Sequence, residues 1–454
     1  MLSEEYKIDE PSVSLITANE ENMVEIKTDN NVVTNDQVFR LSLKDQSAYT
    51  NLSKSYLELQ FRLVKEADGG AYNANDRVTL RKGALSLWTR AVLRINNQVI
   101  ETCEDVALSK TLQSLLLFSQ DYSSSAATNQ FWSKDTGNLG SDADATRPYN
   151  HDAVAAQGAN LLAIVENPDY NKGFVEREAR SRASAVVTAY IPVAHLFGFA
   201  SVNKLISNQE VSIELTRSQS SQHIHRLTAT AAGKVEVNKL SWWVPNVLPK
   251  PSVDLALKSQ MSSGLQSEFS YYNWNAYTSP NLNAGENTFK VLTTSEDVQY
   301  AFVVMRNTAK AQNSGAEHTY RSDIQSCESR LNGRNFPNRR FDQLMNGVNS
   351  NGVGVSRVYS ELLRHMNKSN NYADGIQLSY NEFVGNTATT AQMIIPFDFT
   401  NKPDNFAGSP TNLEILITPS AVAVTDFVQC SVVVVSKRTA MLSYSGNKAT
   451  ISVA

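Results

Sequence analysis

Apolar and polar residues alternate along VFRLSLK (38–44) and YLELQFRLV (56–64). A period of two is what a strand shows when one face is buried and the other is wet, as in antiparallel sheets. The same rhythm, or a short apolar run, returns in EVSIELTR (210–217), KVEVNKLSWWVP (234–245), EFSYYNWNAYT (268–278), VQYAFVVMRNT (298–308), DGIQLSYNEF (374–383), AQMIIPFDF (391–399), NLEILIT (412–418) and VQCSVVVVSKRTAML (428–442). WTRAVLRINNQVIE (88–101) reads as strand, tight Asn96-Asn97 turn, strand, because asparagine tolerates the positive φ of a hairpin turn. Helical spacing is rare. Leu108, Leu112, Leu115 and Leu116 share one face of a helix in 107–120, EREARSR (176–182) fits a short helical turn, and VYSELLRHM (358–366) is the helical candidate of the second half. The fold class is all-β, with a few short helices in loops.

A chain of 454 residues exceeds what one compact core usually takes. Pro245, Pro249 and Pro251 cluster in VPNVLPKPS, and proline ends strands and stiffens connectors, so the boundary between two domains is placed there. The reading is an N-terminal arm over 1–36, a first domain over 37–248 with a long loop at about 121–175, and a second domain over 249–454. The arm holds nine acidic residues against two lysines and shows little periodicity, so it is expected to be extended and ordered only where it lies on something.

The two halves echo each other. Arg94-Ile95-Asn96-Asn97 matches Arg330-Leu331-Asn332-Gly333, Ile191-Pro192 matches Ile395-Pro396, and EVSIELT (210–216) matches NLEILIT (412–418), in the same order. Tandem duplication of one β-sandwich accounts for this order; coincidence between β-rich strings is the alternative.

Composition argues against several function classes. Net charge is −4, which gives no field to attract nucleic acid, and charged residues are only 19%, a surface more polar than charged. The start MLSEEYKIDEPS lacks a signal peptide's basic and apolar regions, and no run of 18 apolar residues occurs. Cys103, Cys327 and Cys430 lie far apart and read as buried thiols made in a reducing compartment. His223 and His225 alternate as strand residues could around a metal, but no third ligand is near, so no metal and no cofactor is expected. Paired carboxylates of a glycosidase are not evident, and Glu104-Asp105 reads as charge at a helix start. Arg334–Phe341 mixes basic and aromatic residues as a turn region does; Trp242-Trp243 and Tyr271, Tyr272 and Trp274 read as aromatics at strand ends that cap a core or fill an interface, with sugar stacking as the functional alternative. His195, in YIPVAHLFGF (190–199), has no visible partner. There, Pro192 is expected at a sheet edge or strand end, Gly198 to permit a turn, and Leu196, Phe197 and Phe199 to plug the end of a core or a subunit contact.

Several stretches together resemble the double jelly-roll major capsid proteins of nucleocytoplasmic large DNA viruses, virophages and Polinton-like viruses. They are AYIPVAHLFGF before SNQEVSIELTRS, KVEVNKLSWWVPNVLP with Trp242 and Trp243, SRLNGRNFPNRRF with Asn332, Gly333, Phe336 and Pro337, and the closing VQCSVVVVSKRTAMLSY. The likeness covers about 37–445. It implies two tandem eight-stranded jelly-roll β-sandwiches, no enzymatic activity, and a structural subunit. That subunit would form pseudo-hexagonal homotrimers tiling an icosahedral shell. Partners implied are the chain itself, penton and minor capsid or cement proteins, and an inner membrane, with no sequence-specific nucleic-acid binding. Location would be the virion, after synthesis in the host cell interior without secretion. The resemblance makes 121–175 the candidate for an outward tower or subunit contact and puts the arm beneath the shell. A trimeric minor capsid protein, or a receptor- or glycan-binding spike of the same fold, is the alternative.

Overall fold

The computed structural model describes residues 18–28, 37–44, 49–135, 172–207, 209–218, 223–226, 230–264, 266–293, 297–307, 312, 320–336, 340–345, 352–370, 374–385, 391–402, 411–420, 428–445 and 448–453. The strands of the first half are β1 (Ala18–Lys27), β2 (Val38–Leu43), β3 (Tyr49–Asn51), β4 (Tyr56–Lys65), β5 (Val78–Leu80), β6 (Trp88–Ile95), β7 (Gln98–Glu104), β8 (Val187–Pro192), β9 (Leu205–Ile206), β10 (Val211–Arg217), β11 (Ile224–Arg226) and β12 (Gly233–Pro249). Those of the second are β13 (Gln266–Asn281), β14 (Asn287–Thr293), β15 (Asp297–Asn307), β16 (Ile324–Leu331), β17 (Arg334–Asn335), β18 (Ile395–Asp398), β19 (Thr411–Pro419), β20 (Val428–Ser445) and β21 (Lys448–Val453).

Each half is built on a pair of sheets, and in the first half β5 and β11 pair as a separate two-stranded sheet. In the first, β1 and β4 flank β12 and β8 lies outside β4, with β3 and β9 extending the same sheet; β2-β10-β6-β7 faces it. In the second, β13-β20-β15-β18 faces β14-β19-β16-β17, and β21 extends β20. Strand for strand, the order β1-β12-β4-β8 repeats as β13-β20-β15-β18, and β2-β10-β6-β7 as β14-β19-β16-β17. These are two eight-stranded jelly rolls in tandem, each with its inward residues alternating along the strands.

The repeat extends to single hydrogen bonds. Asn96 and Asn97 have φ of 49° and 64°, and Asn332 and Gly333 have 49° and 77°, so both hairpins turn through two left-handed residues. Asn96 donates its N–H to the Glu210 carbonyl (2.8 Å), and its Oδ1 accepts from the Glu210 N–H (3.0 Å). Asn332 makes the same pair of bonds with Asn412, at 2.8 Å each. Glu210 and Asn412 are the first residues of the two matching strings.

Several expectations need correction. Part of the supposed arm, 18–27, is β1, the first strand of the first sandwich, paired with β12 from Lys27↔Ser241 to Ala18↔Pro249. Around the proline cluster no loop forms. Pro245 and Pro249 lie within β12, Pro245 in the gap where β4 has left that edge and β3 has not begun. Pro251 opens a helix, Pro251–Ser262, at a position where its missing N–H costs nothing. The string 374–383 is not a strand; it leads into a short helix, Tyr380–Val384, started by a Ser379–Glu382 capping box. Of the long loop, residues 136–171 lie outside the described residues. Its flanks are helical, at Gln120–Ser124, Ala126–Asn129 and Lys172–Ser181.

The two cores trade residues. The first buries Phe269, Tyr271, Leu442 and Tyr444 from the far half of the chain. The second buries Leu108, Leu112, Leu115 and Leu116 of the helix α1 (Val106–Leu117) from the near half.

Replacing Asn96 by alanine removes both the tolerance of positive φ and the bond from Glu210. Thermal or urea unfolding should show a loss of about 1–3 kcal/mol. Asn97→Gly should leave stability unchanged or raise it, since glycine takes that φ without strain.

Candidate functional site: the seam between the sandwiches

YIPVAHLFGF lies where the sandwiches meet. β8 is an edge strand that ends at Pro192, whose partner is Tyr56, so the missing N–H withdraws nothing from the ladder. A single helical turn, Val193–Leu196, follows. Leu196, Phe197 and Phe199 are at most 1% exposed and belong to the first core. Phe199 stacks on Phe269 (4.9 Å between centroids) and meets Tyr271 edge-on (5.5 Å), both on β13.

Gly198 is not there for a special turn. Its φ and ψ are −63° and −35°, open to any residue. A Cβ at this position would lie 2.0 Å from the Tyr272 carbonyl oxygen, so glycine is required by the close approach of β13. On its other side the Glu101 carboxylate accepts the N–H groups of Gly198 and Phe199, one per oxygen, at 2.9 Å each. Glu101 is fully buried, and burial pushes its carboxyl above the usual range while Lys110 and the two N–H donors pull it back. Tyr271 donates its hydroxyl hydrogen to the Ile100 carbonyl (2.8 Å), next to Glu101.

His195 has partners that the sequence did not reveal. Its Nδ1 donates to Gln130 Oε1 (3.0 Å), Gln130 Nε2 donates to the Tyr122 hydroxyl (2.8 Å), and that hydroxyl lies 3.4 Å from His195 Nε2, closing a ring of polar groups. Burial, with Lys110 adding to it, pushes the imidazole down from 6.5 to about 4. A cavity of about 380 Å³ adjoins it, lined in part by Leu85, Leu117 and Phe118. A neutral histidine whose two nitrogens are engaged ties the Gln120–Asn129 segment to the β8 turn; it is not poised as a base.

α1 carries the seam further. Asp105 caps it, accepting from the Leu108 N–H (3.1 Å), as its place by a helix start led one to expect. Burial would raise the Asp105 carboxyl, but the Arg306 guanidinium, 2.6 Å away, outweighs it and holds the group below its usual range. Arg306 also donates to Ser431 (3.0 Å) and Thr278 (3.3 Å) of the second sandwich. At the other end of α1, the Gln377 N–H reaches the Leu115 carbonyl (2.8 Å). Gln312 forms a two-bond clamp on the Gly233 backbone at the start of β12, at 2.8 and 2.7 Å.

Tyr271 and Tyr272 are part of this seam; most of the other singled-out residues lie apart from it. Trp242 and Trp243 sit in the middle of β12, not at its end. Trp242 is buried in the first core. Trp243, on the opposite face, stacks on Tyr56 and donates to Glu58 (2.7 Å). Tyr271, Tyr272 and Trp274 are likewise internal to β13. Asn332 and Gly333 form the β16–β17 turn, Phe336 stacks on Phe399, and Pro337 lies outside the described residues. His223 Nδ1 is 2.6 Å from Ser218 Oγ, and His225 meets Phe174 edge-on. Among the described residues no three His, Cys, Asp or Glu side chains group as metal ligands.

Gly198→Ala should destabilise the protein by about 1–3 kcal/mol in thermal unfolding, because Tyr272 main chain cannot yield cheaply. Phe197→Ala should cost about 3–5 kcal/mol. His195→Gln should fold and assemble normally at neutral pH. A base whose folded pKa is depressed stabilises the fold above its unfolded pKa and loses that contribution as pH falls. The difference in stability between wild type and His195→Gln should therefore shrink as pH falls from 6.5 to about 4.

Residues 173–344 match the sequence family described as "Double jelly roll-like domain", a stretch that crosses from the first sandwich through the seam into the second. No curated protein matches in sequence. In structure the chain is similar to a chain of the Sputnik virophage, at 9% identity and a TM-score of 0.59, over 100% of this chain and 92% of that one. It is also similar to the mavirus major capsid protein, at 11% identity and a TM-score of 0.50, over 100% of this chain and 93% of that one. Strand order, the match over 173–344 and the full-length structural likeness agree: the chain has the double jelly-roll fold.

Proposed function

We propose that the protein is the major capsid subunit of an icosahedral DNA-virus shell, acting as a pseudo-hexagonal homotrimer. The seam carries this reading. Two complete sandwiches are fixed to each other by buried aromatics, a buried carboxylate and an exchange of core residues, so the chain behaves as one rigid two-lobed block. Three such blocks around a threefold axis present six nearly equivalent lobes, an outline that tiles a surface without gaps. The likeness to the mavirus major capsid protein over nearly the whole of both chains supports the same role. In that role the fold supplies stiffness and contact area, and the buried polar groups of the seam position main chain instead of substrate. Its partners are first its own copies, then penton and minor capsid or cement proteins. Its place is the virion.

Light-scattering mass measurement of the purified chain should give a trimer, and electron micrographs should show those trimers joining into hexagonally tiled sheets or shells. A lasting monomer, or a presence in only a small number of copies per purified particle, would overturn the reading.

A further inference from the structure

α1 has two working faces. Its leucines enter the second core. Lys110, Gln113, Ser114 and Leu117 follow the i, i+3, i+4, i+7 spacing of a different stripe, and all four line the cavity of about 380 Å³ beside His195. Leu85 and Phe118 add apolar wall. Phe118 belongs to an aromatic cluster, with ring centroids 4.7 Å from Tyr122, 5.4 Å from His195 and 5.3 Å from Trp132. Leu117, 46% exposed, marks the open side. An apolar cavity of this size, with a few placed polar groups, has the make-up of a small-molecule site, where volumes run from about 300 to 1,000 Å³.

Most polar groups of the wall are already engaged. His195 and Tyr122 close their ring through Gln130, and Ser114 donates its hydroxyl hydrogen to the Lys110 carbonyl (2.7 Å). The Lys110 side chain differs. It is 3% exposed, and among the described residues its ammonium has one acceptor, Gln113 Oε1 at 3.1 Å, and no carboxylate within ion-pair distance. Glu101 feels its charge but places its two oxygens on the N–H groups of Gly198 and Phe199. An ammonium carries three N–H donors, and one neutral acceptor compensates a buried cation poorly. With its Oε1 turned to Lys110, the Gln113 amide keeps its Nε2 donors for a further acceptor.

We propose that this cavity binds an amphipathic monocarboxylate, the carboxylate on Lys110 and Gln113 and the apolar body against Leu85, Leu117 and Phe118. One cation beside one neutral donor suits a single negative charge shared by two oxygens. A neutral molecule of the same shape fills the apolar wall but leaves the ammonium as it was. The occupant joins α1 to the Gln120–Ser124 helix and the β8 turn, so it binds the folded chain alone and raises its melting temperature.

Octanoate is the probe, with 1-octanol as its neutral counterpart, each titrated into the full chain near neutral pH by calorimetry and thermal melting. Octanoate should saturate at one site per chain, raise the melting temperature and bind at least about tenfold more tightly than octanol. Lys110→Met keeps the apolar stem and removes the charge; it should weaken octanoate at least about tenfold and leave octanol unchanged. Leu117→Asp, on an exposed side chain, should fold as the wild type by circular dichroism and weaken both ligands, and it carries the test if Lys110→Met does not fold. Equal affinity for octanoate and octanol, octanoate binding without saturation, or octanoate binding that folded Lys110→Met or Leu117→Asp leaves unchanged would each overturn the site.

Discussion

The N–H groups of Gly198 and Phe199 point into the seam, and a single carboxylate accepts both. Glu101 is 0% exposed, so its removal would leave two donors with no water to replace it. The pair of bonds fixes the turn after β8 against β7. With the turn fixed, Gly198 can lie against the Tyr272 carbonyl and Phe199 can stack on β13. The relative position of the lobes follows from this chain of contacts.

Much of the architecture was legible in the sequence. Strands with one wet face declare themselves by alternation, as β4 and β10 do, and α1 declares itself by its leucines. Asn96 and Asn332 marked their turns because few residues accept positive φ. β1 was hidden for a physical reason: it is an edge strand with largely exposed side chains, and its order comes from main-chain pairing with β12, more than two hundred residues away. Trp243 and Trp274 were misjudged as strand-end residues because β12 and β13 are 17 and 16 residues long, well beyond ordinary strands. Ser379-x-x-Glu382 was a readable capping box that an apolar run nearby obscured.

The candidate site was legible only in outline. Pro192, Phe197 and Phe199 stood out in the sequence, but their partners did not. Glu101, Gln130 and Arg306 are ordinary polar residues in the sequence, and only the fold makes them neighbours of the turn or of α1. Gly198 shows the limit most clearly. Its own backbone is unremarkable, and the reason for glycine lies in a residue of the other sandwich.

The exchange of core residues has a consequence for how the chain is made. Leu442 and Tyr444 are buried in the first core, and β1 waits for residues 241–249 to pair. A ribosome building from the N-terminus cannot release a finished first lobe while the second is still being synthesised. Contacts of such long sequence separation also fold slowly. The first lobe therefore stays without part of its core until the last strands of the polypeptide have been made.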